Sequence, residues 1–148
     1  MSASVPKYLV RDVMRTPTVN ILPTKSVSEI ARLMIDRDVG SVLVVNEEGN
    51  LLGIITKTDI VREVVAKGLS PLNINASQIM TKNPYYAFED VPLEEAASLM
   101  GSKGVGHLPI LDSRTLKPIG MLSKRDILKL APYYIDLVYQ LKAEKIGK

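Results

Sequence analysis

The chain has 148 residues, of which 46% are hydrophobic and 24% charged. This composition is ordinary for a globular protein and excludes a disordered or collagen-like chain. It contains no cysteine and one histidine, His107, which excludes disulfides, thiol nucleophiles, iron–sulfur clusters and zinc sites built on thiolates or several imidazoles. The net charge of +3 is too small by itself to indicate nucleic acid binding.

The sequence lacks the signals of membrane insertion or export. No apolar run reaches the roughly 18 residues that a membrane span needs. Residues 1–8 lack the apolar stretch of a signal peptide. We therefore expect a cytoplasmic protein with no membrane partner and no bound metal.

The first half of the chain predicts a strand, a helix, two strands and a second helix. A short strand is expected at 18–21, and apolar residues then recur at helical spacing over 27–34. Ser26 and Glu29 form the pattern of a capping box at the start of that helix. Strands at 41–45 and 51–55, joined by a Gly-Asn turn, precede a closing helix that begins after Thr56.

The second half repeats this order. A strand is predicted at 85–88, and Pro92 opens the following helix. Two strands follow at 107–111 and 119–122, and the closing helix begins after Ser123.

The two halves are an internal duplication. Residues 27–34 (VSEIARLM) resemble 93–100 (LEEAASLM) at an offset of 66, and 53–60 (GIITKTDI) resemble 120–127 (GMLSKRDI) at an offset of 67. A repeat of this length indicates a duplicated supersecondary unit, and two such units bury their apolar faces on each other about a pseudo-twofold axis.

The fold class is therefore mixed α/β, with two β-α-β-β-α repeats related by a pseudo-twofold axis. We place the first repeat at 9–68, a linker at 69–75 and the second repeat at 76–131. A further amphipathic helix is predicted at 132–146, with an apolar face formed by Tyr134, Leu137, Val138 and Leu141.

This organisation resembles a tandem pair of cystathionine β-synthase (CBS) domains, a Bateman module, over residues 9–131. The motifs that carry the resemblance are Val13–Pro17, the related runs 39–44 (VGSVLV) and 105–110 (VGHLPI), and the segments 53–60 and 120–127. The resemblance implies a non-catalytic regulatory module that binds AMP, ADP, ATP or S-adenosylmethionine in clefts between the repeats. It also implies a homodimer and no obligatory cofactor. No enzyme domain is attached in the sequence, so we expect the module to stand by itself.

Two segments have the same arrangement of a hydroxyl, two intervening residues and an aspartate. They are Thr56, Lys57, Thr58, Asp59 and Ser123, Lys124, Arg125, Asp126. Each fits a capping box, in which the hydroxyl and the carboxylate satisfy backbone amides at a helix start. Each also fits a phosphate site at a helix N-terminus, with the aspartate accepting from ribose hydroxyls. The resemblance favours the ligand role, and one hydroxyl can both cap and bind.

The resemblance implies further residues in the clefts. The remaining candidates precede or follow strands and are Arg15, Thr18, Val19, Gly40, Ser41, Lys82, Tyr85, Tyr86, Gly106 and His107. Thr18 and Val19 in one repeat, and Tyr85 and Tyr86 in the other, would form an apolar slot for adenine. His107, with a pKa near 6.5, would face phosphate.

Each of these candidates also has a structural interpretation. The tyrosines can serve as packing and the glycines as points of close backbone approach. Arg15 and Lys82 can be solvated loop charges, and His107 can be a surface or core residue.

The two repeats differ in charge. Arg125 stands where the first repeat has Thr58, and His107 stands where it has Ser41. We therefore expect the second site to bind a phosphorylated ligand more tightly.

Two other classes of function compete with ligand sensing. The chain could be an interaction scaffold with vestigial clefts, contacting a partner protein through its dimer surface or C-terminal helix. Nucleic acid binding draws on the basic segment 114–129, but the same charges fit phosphate sites. Enzymatic activity is the least supported, because no nucleophile with a matching base is recognisable.

Overall fold

Each repeat builds its own β-sheet in this computed structural model, which describes residues 7–131. The helices in chain order are α1 (Val10–Val13), α2 (Val27–Arg37), α3 (Lys57–Ile60, continued by a π-helical turn at Val61–Val65), α4 (Ala76–Ile79), α5 (Leu93–Lys103) and α6 (Lys124–Leu128). The strands are β1 (Asn20–Ile21), β2 (Ser41–Val45), β3 (Leu51–Thr56), β4 (Thr81–Lys82), β5 (Ala87–Phe88), β6 (His107–Leu111) and β7 (Pro118–Ser123). The helix predicted at 132–146 lies outside the described residues.

The two sheets share a topology of three strands, and the first sheet has a fourth strand, β4. In the first, β1 lies parallel to β2, β2 pairs antiparallel with β3, and β4 pairs antiparallel with β3. In the second, β5 lies parallel to β6, and β6 pairs antiparallel with β7. Ile21 pairs with Val44 as Ala87 pairs with Ile110, so the register repeats with the duplication at an offset of 66. The mixed α/β fold of two repeats is confirmed.

The long helix of the first repeat begins as its residues predict. The Ser26 hydroxyl accepts from the Glu29 amide at 3.2 Å, which stabilises the start of α2. Val27, Ile30 and Met34 are buried on one face. The helix ends at Arg37, and Asp38 after it adopts the left-handed conformation with φ of 52°.

The first strand of each repeat is shorter than predicted, with two paired residues instead of four. The Val19 carbonyl still accepts from the Leu43 amide at 2.9 Å. The segment that precedes β1, however, pairs with the other sheet. Arg15 exchanges two backbone hydrogen bonds with Met121 of the second repeat, at 2.9 and 3.0 Å. A backbone committed to the other repeat cannot also extend β1.

The two repeats exchange the segments that precede them. Val10 of α1 is fully buried in the core of the second repeat, among residues that include Leu93, Met100, Leu108 and Leu122. Conversely, Ala76 and Ile79 of α4 lie in the core of the first repeat with Val27, Ile30, Ile55 and Val64. Neither core is complete without residues from the other half of the chain, which ties the two repeats together.

No helix in the part of the chain from residue 7 to residue 131 is long and apolar enough to cross a membrane.

A cleft between the repeats as the candidate functional site

A cavity of about 580 Å³ is lined by residues of both repeats. This volume lies within the range of about 300–1,000 Å³ that small-molecule pockets occupy. Its walls are formed by residues 15–19, 37–41 and 57 of the first repeat and 106, 107, 121 and 123–126 of the second.

The exchange of leading segments builds this cavity. Arg15 pairs with Met121 in β7, and Ser123 at the end of β7 caps α6. The chain that continues from Arg15 to Thr18 and Val19 therefore lies opposite the start of α6. A candidate apolar slot of one repeat thus meets the hydroxyl and aspartate of the other.

Both helix starts are capping boxes. At α3, the Thr56 hydroxyl accepts from the Asp59 amide at 3.2 Å, and the Asp59 carboxylate accepts from the Thr56 amide at 2.8 Å. At α6, Ser123 and Asp126 make the same two bonds at 3.1 and 2.9 Å. The structural interpretation of these motifs is therefore confirmed, and any ligand role is additional to it.

The glycines before the second strands supply backbone acceptors to the same helix starts. The Gly40 carbonyl accepts from the Lys57 amide at 3.1 Å, and the Gly106 carbonyl accepts from the Lys124 amide at 3.0 Å. In the first turn of α6, the Lys124 and Asp126 amides therefore have acceptors. The Arg125 amide donates to no other described residue. A ligand at this place has one backbone donor available.

The two aspartates, Asp59 and Asp126, are almost fully buried but differ in the hydrogen bonding of Oδ1. Asp126 is 4% exposed and lines the cavity. Its Oδ2 accepts the capping bonds, while its Oδ1 has no hydrogen bond to any described residue. Asp59 is 8% exposed, and its Oδ1 accepts from Arg62 Nη1 at 3.4 Å. Asp126 therefore offers the cavity an acceptor.

His107 lies against the first repeat. A Cβ built on Gly40 would stand 3.3 Å from His107 Nε2, so glycine at position 40 permits this approach. Burial lowers the pKa of His107 below its ordinary value of 6.5, and Lys57 lowers it further, while Asp126 and Asp59 oppose the shift. The neutral imidazole therefore predominates at pH 7.

The cavity is rich in cations. The arginines and lysines in its lining are Arg15, Arg37, Lys57, Lys124 and Arg125, and its carboxylates are Asp38 and Asp126. Arg37 was not predicted as a site residue. It is the last residue of α2, two positions before Val39, so its position near a predicted cleft motif was the available signal.

Six predicted site residues do not line this cavity: Thr56, Thr58, Asp59, Lys82, Tyr85 and Tyr86. Lys82 belongs to β4, which pairs with β3 of the first repeat. The Tyr85 ring has Lys103 Nζ at 5.3 Å from its centroid, and Tyr86 makes an edge contact with Phe88 at 5.5 Å between ring centroids. The structure therefore separates the predicted site residues into those that line the cavity and these six, which do not.

Comparisons with known proteins agree with the duplication. The family model for the CBS domain matches residues 10–66 and again residues 76–133. An uncharacterised protein of Methanopyrus kandleri is 38% identical over 87% of this chain and 65% of its own length. A homoserine O-acetyltransferase of Methanohalobium evestigatum is 33% identical over 82% of this chain. An inosine-5'-monophosphate dehydrogenase of Methanocaldococcus jannaschii is also 33% identical over 82% of it. The chain spans only 24% and 23% of these two enzymes.

A solved structure has the same fold. The CBS domain pair of a protein in complex with 5'-methylthioadenosine and S-adenosyl-L-methionine superimposes with a TM-score of 0.77. Its sequence is 28% identical, and the match covers 87% of this chain and 99% of that one. This chain therefore belongs to the CBS domain family and carries two copies of the domain.

Proposed function

We propose that this CBS pair binds an adenosine-containing ligand, namely AMP, ADP, ATP or S-adenosylmethionine, in the cavity between its repeats and acts as a regulatory module. The observation that supports this most directly is the composition of the cavity. It joins the slot residues Thr18 and Val19 to the Asp126 carboxylate and to five cationic side chains. The similar domain pair in complex with methylthioadenosine and S-adenosylmethionine is consistent with a ligand of this class.

Each part of such a ligand has a matching group. Adenine fits against the segment of Thr18 and Val19, where the backbone supplies hydrogen-bond partners and the side chains are small. The ribose hydroxyls donate to Asp126 Oδ1. Phosphate accepts from the Arg125 amide and from the cationic side chains.

The charge of the cavity favours a phosphorylated ligand. Five permanent cations face two carboxylates, so the lining carries a net positive charge when His107 is neutral. A nucleotide with two to four negative charges offsets this excess, whereas S-adenosylmethionine brings a sulfonium cation. We therefore expect ATP and ADP to bind more tightly than S-adenosylmethionine.

We also propose that the chain itself is not a catalyst. The same CBS pair is similar to part of an acetyltransferase and to part of a dehydrogenase, which carry out unrelated reactions. In each case it corresponds to about a quarter of the enzyme. A segment shared by enzymes of different chemistry fits a role in regulation better than a role in either reaction.

Isothermal titration calorimetry with AMP, ADP, ATP and S-adenosylmethionine tests the proposal. We expect saturable binding of at least one of them, and loss of at least tenfold in affinity on Asp126→Asn. The absence of binding by all four at millimolar concentration would contradict the proposal and favour an interaction scaffold. Because regulation needs a ligand that binds one conformation more tightly than another, hydrogen exchange with and without ligand is the companion measurement.

We propose in addition that the chain forms a homodimer. Ile35 on α2 and Val61 and Val65 after α3 are exposed by 79%, 58% and 67%, which is unusual for large apolar side chains on neighbouring elements. Sedimentation velocity tests this proposal. We expect Val65→Asp to shift the dimer toward monomer and Leu116→Asp, in the turn before β7, to leave it unchanged. A monomeric wild-type chain would contradict the proposal.

A further inference from the structure

The two repeats suggest two equivalent sites, but their side chains are not equivalent. We propose that each chain binds one ligand, at the Asp126 cavity, and that the pseudo-symmetric counterpart is closed by its own side chains. This inference rests on the proposed function and concerns its stoichiometry. The residues that close the counterpart are Tyr85, Lys103, Asp59 and Arg62.

The duplication defines the counterpart residue by residue. At an offset of 66, Val19 corresponds to Tyr85 and Arg37 to Lys103, and at an offset of 67, Asp59 corresponds to Asp126. Ile21 pairs with Val44 and Ala87 pairs with Ile110, so the strand register gives the same offset of 66 for the slot residues.

The slot position carries a larger residue in the counterpart. Val19 lines the cavity, and Arg37 lines it too. In their places, Tyr85 adds a phenol ring and Lys103 lies over that ring, 5.3 Å from its centroid. The cation that could reach a phosphate is engaged by the aromatic ring that stands where adenine would bind. A ligand there has to break this cation–π contact and move the ring.

The acidic position is also engaged in the counterpart. Asp126 Oδ1 has no hydrogen bond to a described residue, whereas Asp59 Oδ1 accepts from Arg62 at 3.4 Å. The residue that corresponds to Arg62 is Lys129, which makes no ion pair with Asp126 among the described residues. A ribose hydroxyl therefore finds an available acceptor at Asp126 and a shared one at Asp59.

These two contacts are individually weak but act at the same place. A partly exposed cation–π contact and a partly exposed ion pair are each small, and losing both weakens binding at the counterpart by roughly tenfold or more. The counterpart also has Thr58 where the cavity has Arg125, so it offers a phosphate one cation fewer.

Stoichiometry measured by native mass spectrometry and calorimetry, with ATP and with S-adenosylmethionine as separate probes, tests the inference. We expect one ligand per chain at concentrations up to ten times the dissociation constant. The matched variants are Asp126→Asn and Asp59→Asn, because the asparagine side chain still has an oxygen that can accept the capping bond from the backbone amide. We expect the first to weaken binding at least tenfold and the second to change it less than twofold.

A second pair of variants opens the counterpart. The triple variant Tyr85→Val, Lys103→Arg, Arg62→Ala gives the counterpart the small slot residue, the guanidinium and the available carboxylate of the cavity. We expect it to bind a second ligand, and we expect this second binding to be lost when Asp59→Asn is added. Arg125→Thr, which leaves the cap intact, replaces Asp126→Asn as the test if Asp126→Asn perturbs folding. We expect Arg125→Thr to weaken binding at the Asp126 cavity severalfold.

The outcomes separate this inference from the proposed function. Two ligands of comparable affinity per wild-type chain, or a larger effect of Asp59→Asn than of Asp126→Asn, would overturn the single-site inference while supporting ligand binding. Absence of binding by every probe would overturn the proposed function itself, and the single-site inference with it.

Discussion

Met80 lies directly against Gly53: the methionine sulfur is 2.7 Å from the position that a Cβ on Gly53 would occupy. Met80 precedes β4 of the second repeat, and Gly53 belongs to β3 of the first. The duplication repeats the contact, with Met14 at 2.5 Å from the corresponding position on Gly120. Glycine in these strands therefore serves the exchange of leading segments between the repeats.

Replacing these glycines by alanine is expected to destabilise the fold, although alanine is ordinarily the better residue in a strand interior. The added methyl group overfills a packed interface, which costs about 1–3 kcal/mol. Gly53→Ala should cost more than Gly120→Ala, because the nearest backbone atom is the Thr81 oxygen at 2.8 Å in the first case and the Arg15 oxygen at 3.3 Å in the second. Urea unfolding measures both.

Gly101→Ala is the matched control. A Cβ at Gly101 meets nothing within 4 Å, and the residue lies inside α5. We expect this variant to be neutral or to gain about 0.5–1 kcal/mol from helix propensity. Equal unfolding midpoints for all three variants would show that close contact with the methionines does not matter.

The cap of α2 makes a measurable contribution. Ser26→Ala removes the hydroxyl that accepts from the Glu29 amide and is expected to lower the free energy of unfolding by about 1 kcal/mol. Ser28→Ala in the same helix is the control, since the Ser28 side chain makes no hydrogen bond to a described residue. Equal effects of the two substitutions in thermal unfolding would contradict the capping role.

The stability of the fold should depend on pH through His107. Its pKa is lower in the folded chain than in the unfolded one, where it is near 6.5, so the unfolded state binds more protons in this range. The contribution of the neutral imidazole to the free energy of unfolding is complete above pH 6.5 and is lost as the pH falls toward the pKa of the folded state. We expect the free energy of unfolding to decrease from pH 7.5 to 5.5, and this decrease to become smaller in His107→Asn.

Because the chain has one histidine, its imidazole resonance reports this pKa directly by NMR. A folded pKa at or above 6.5 would contradict the effect of burial. If a phosphate of the ligand lies beside the imidazole, AMP should raise this pKa, and binding should then tighten as the pH decreases from 8 to 6.

Arg37 should contribute to binding of phosphorylated ligands. Arg37→Gln removes one of the cations that line the cavity and is expected to weaken ATP binding by roughly fivefold, as for a partly solvated charge contact. S-adenosylmethionine, which lacks phosphate, should bind with unchanged affinity. Arg32→Gln, on the same helix but away from the cavity, is the control in calorimetry. Equal effects of the two substitutions would contradict a role for Arg37.

Local signals in the sequence were sufficient for the long helix and the two following strands of each repeat, whereas α1, α4 and β4 were not predicted. Helical periodicity from Val27, the Ser26 cap and the duplicated strands around Ser41 and His107 all depend on neighbours within a few residues, and the structure agrees with them. The first strands were predicted too long, because the commitment of Arg15 to Met121 is a contact between residues far apart in the chain.

The sequence by itself determined that this protein is a duplicated α/β unit with capped helix starts, because periodicity, caps and repeats are written in residues close together. Only the tertiary structure decided which half of the duplication each candidate residue joins. The exchange of Val10 and Ala76 between the two cores brings Thr18 into the same cavity as Asp126, whereas Lys103 lies over Tyr85 within the second repeat. Two nearly identical motifs therefore have different surroundings, because burial, cation–π contacts and ion pairs depend on where side chains meet in space.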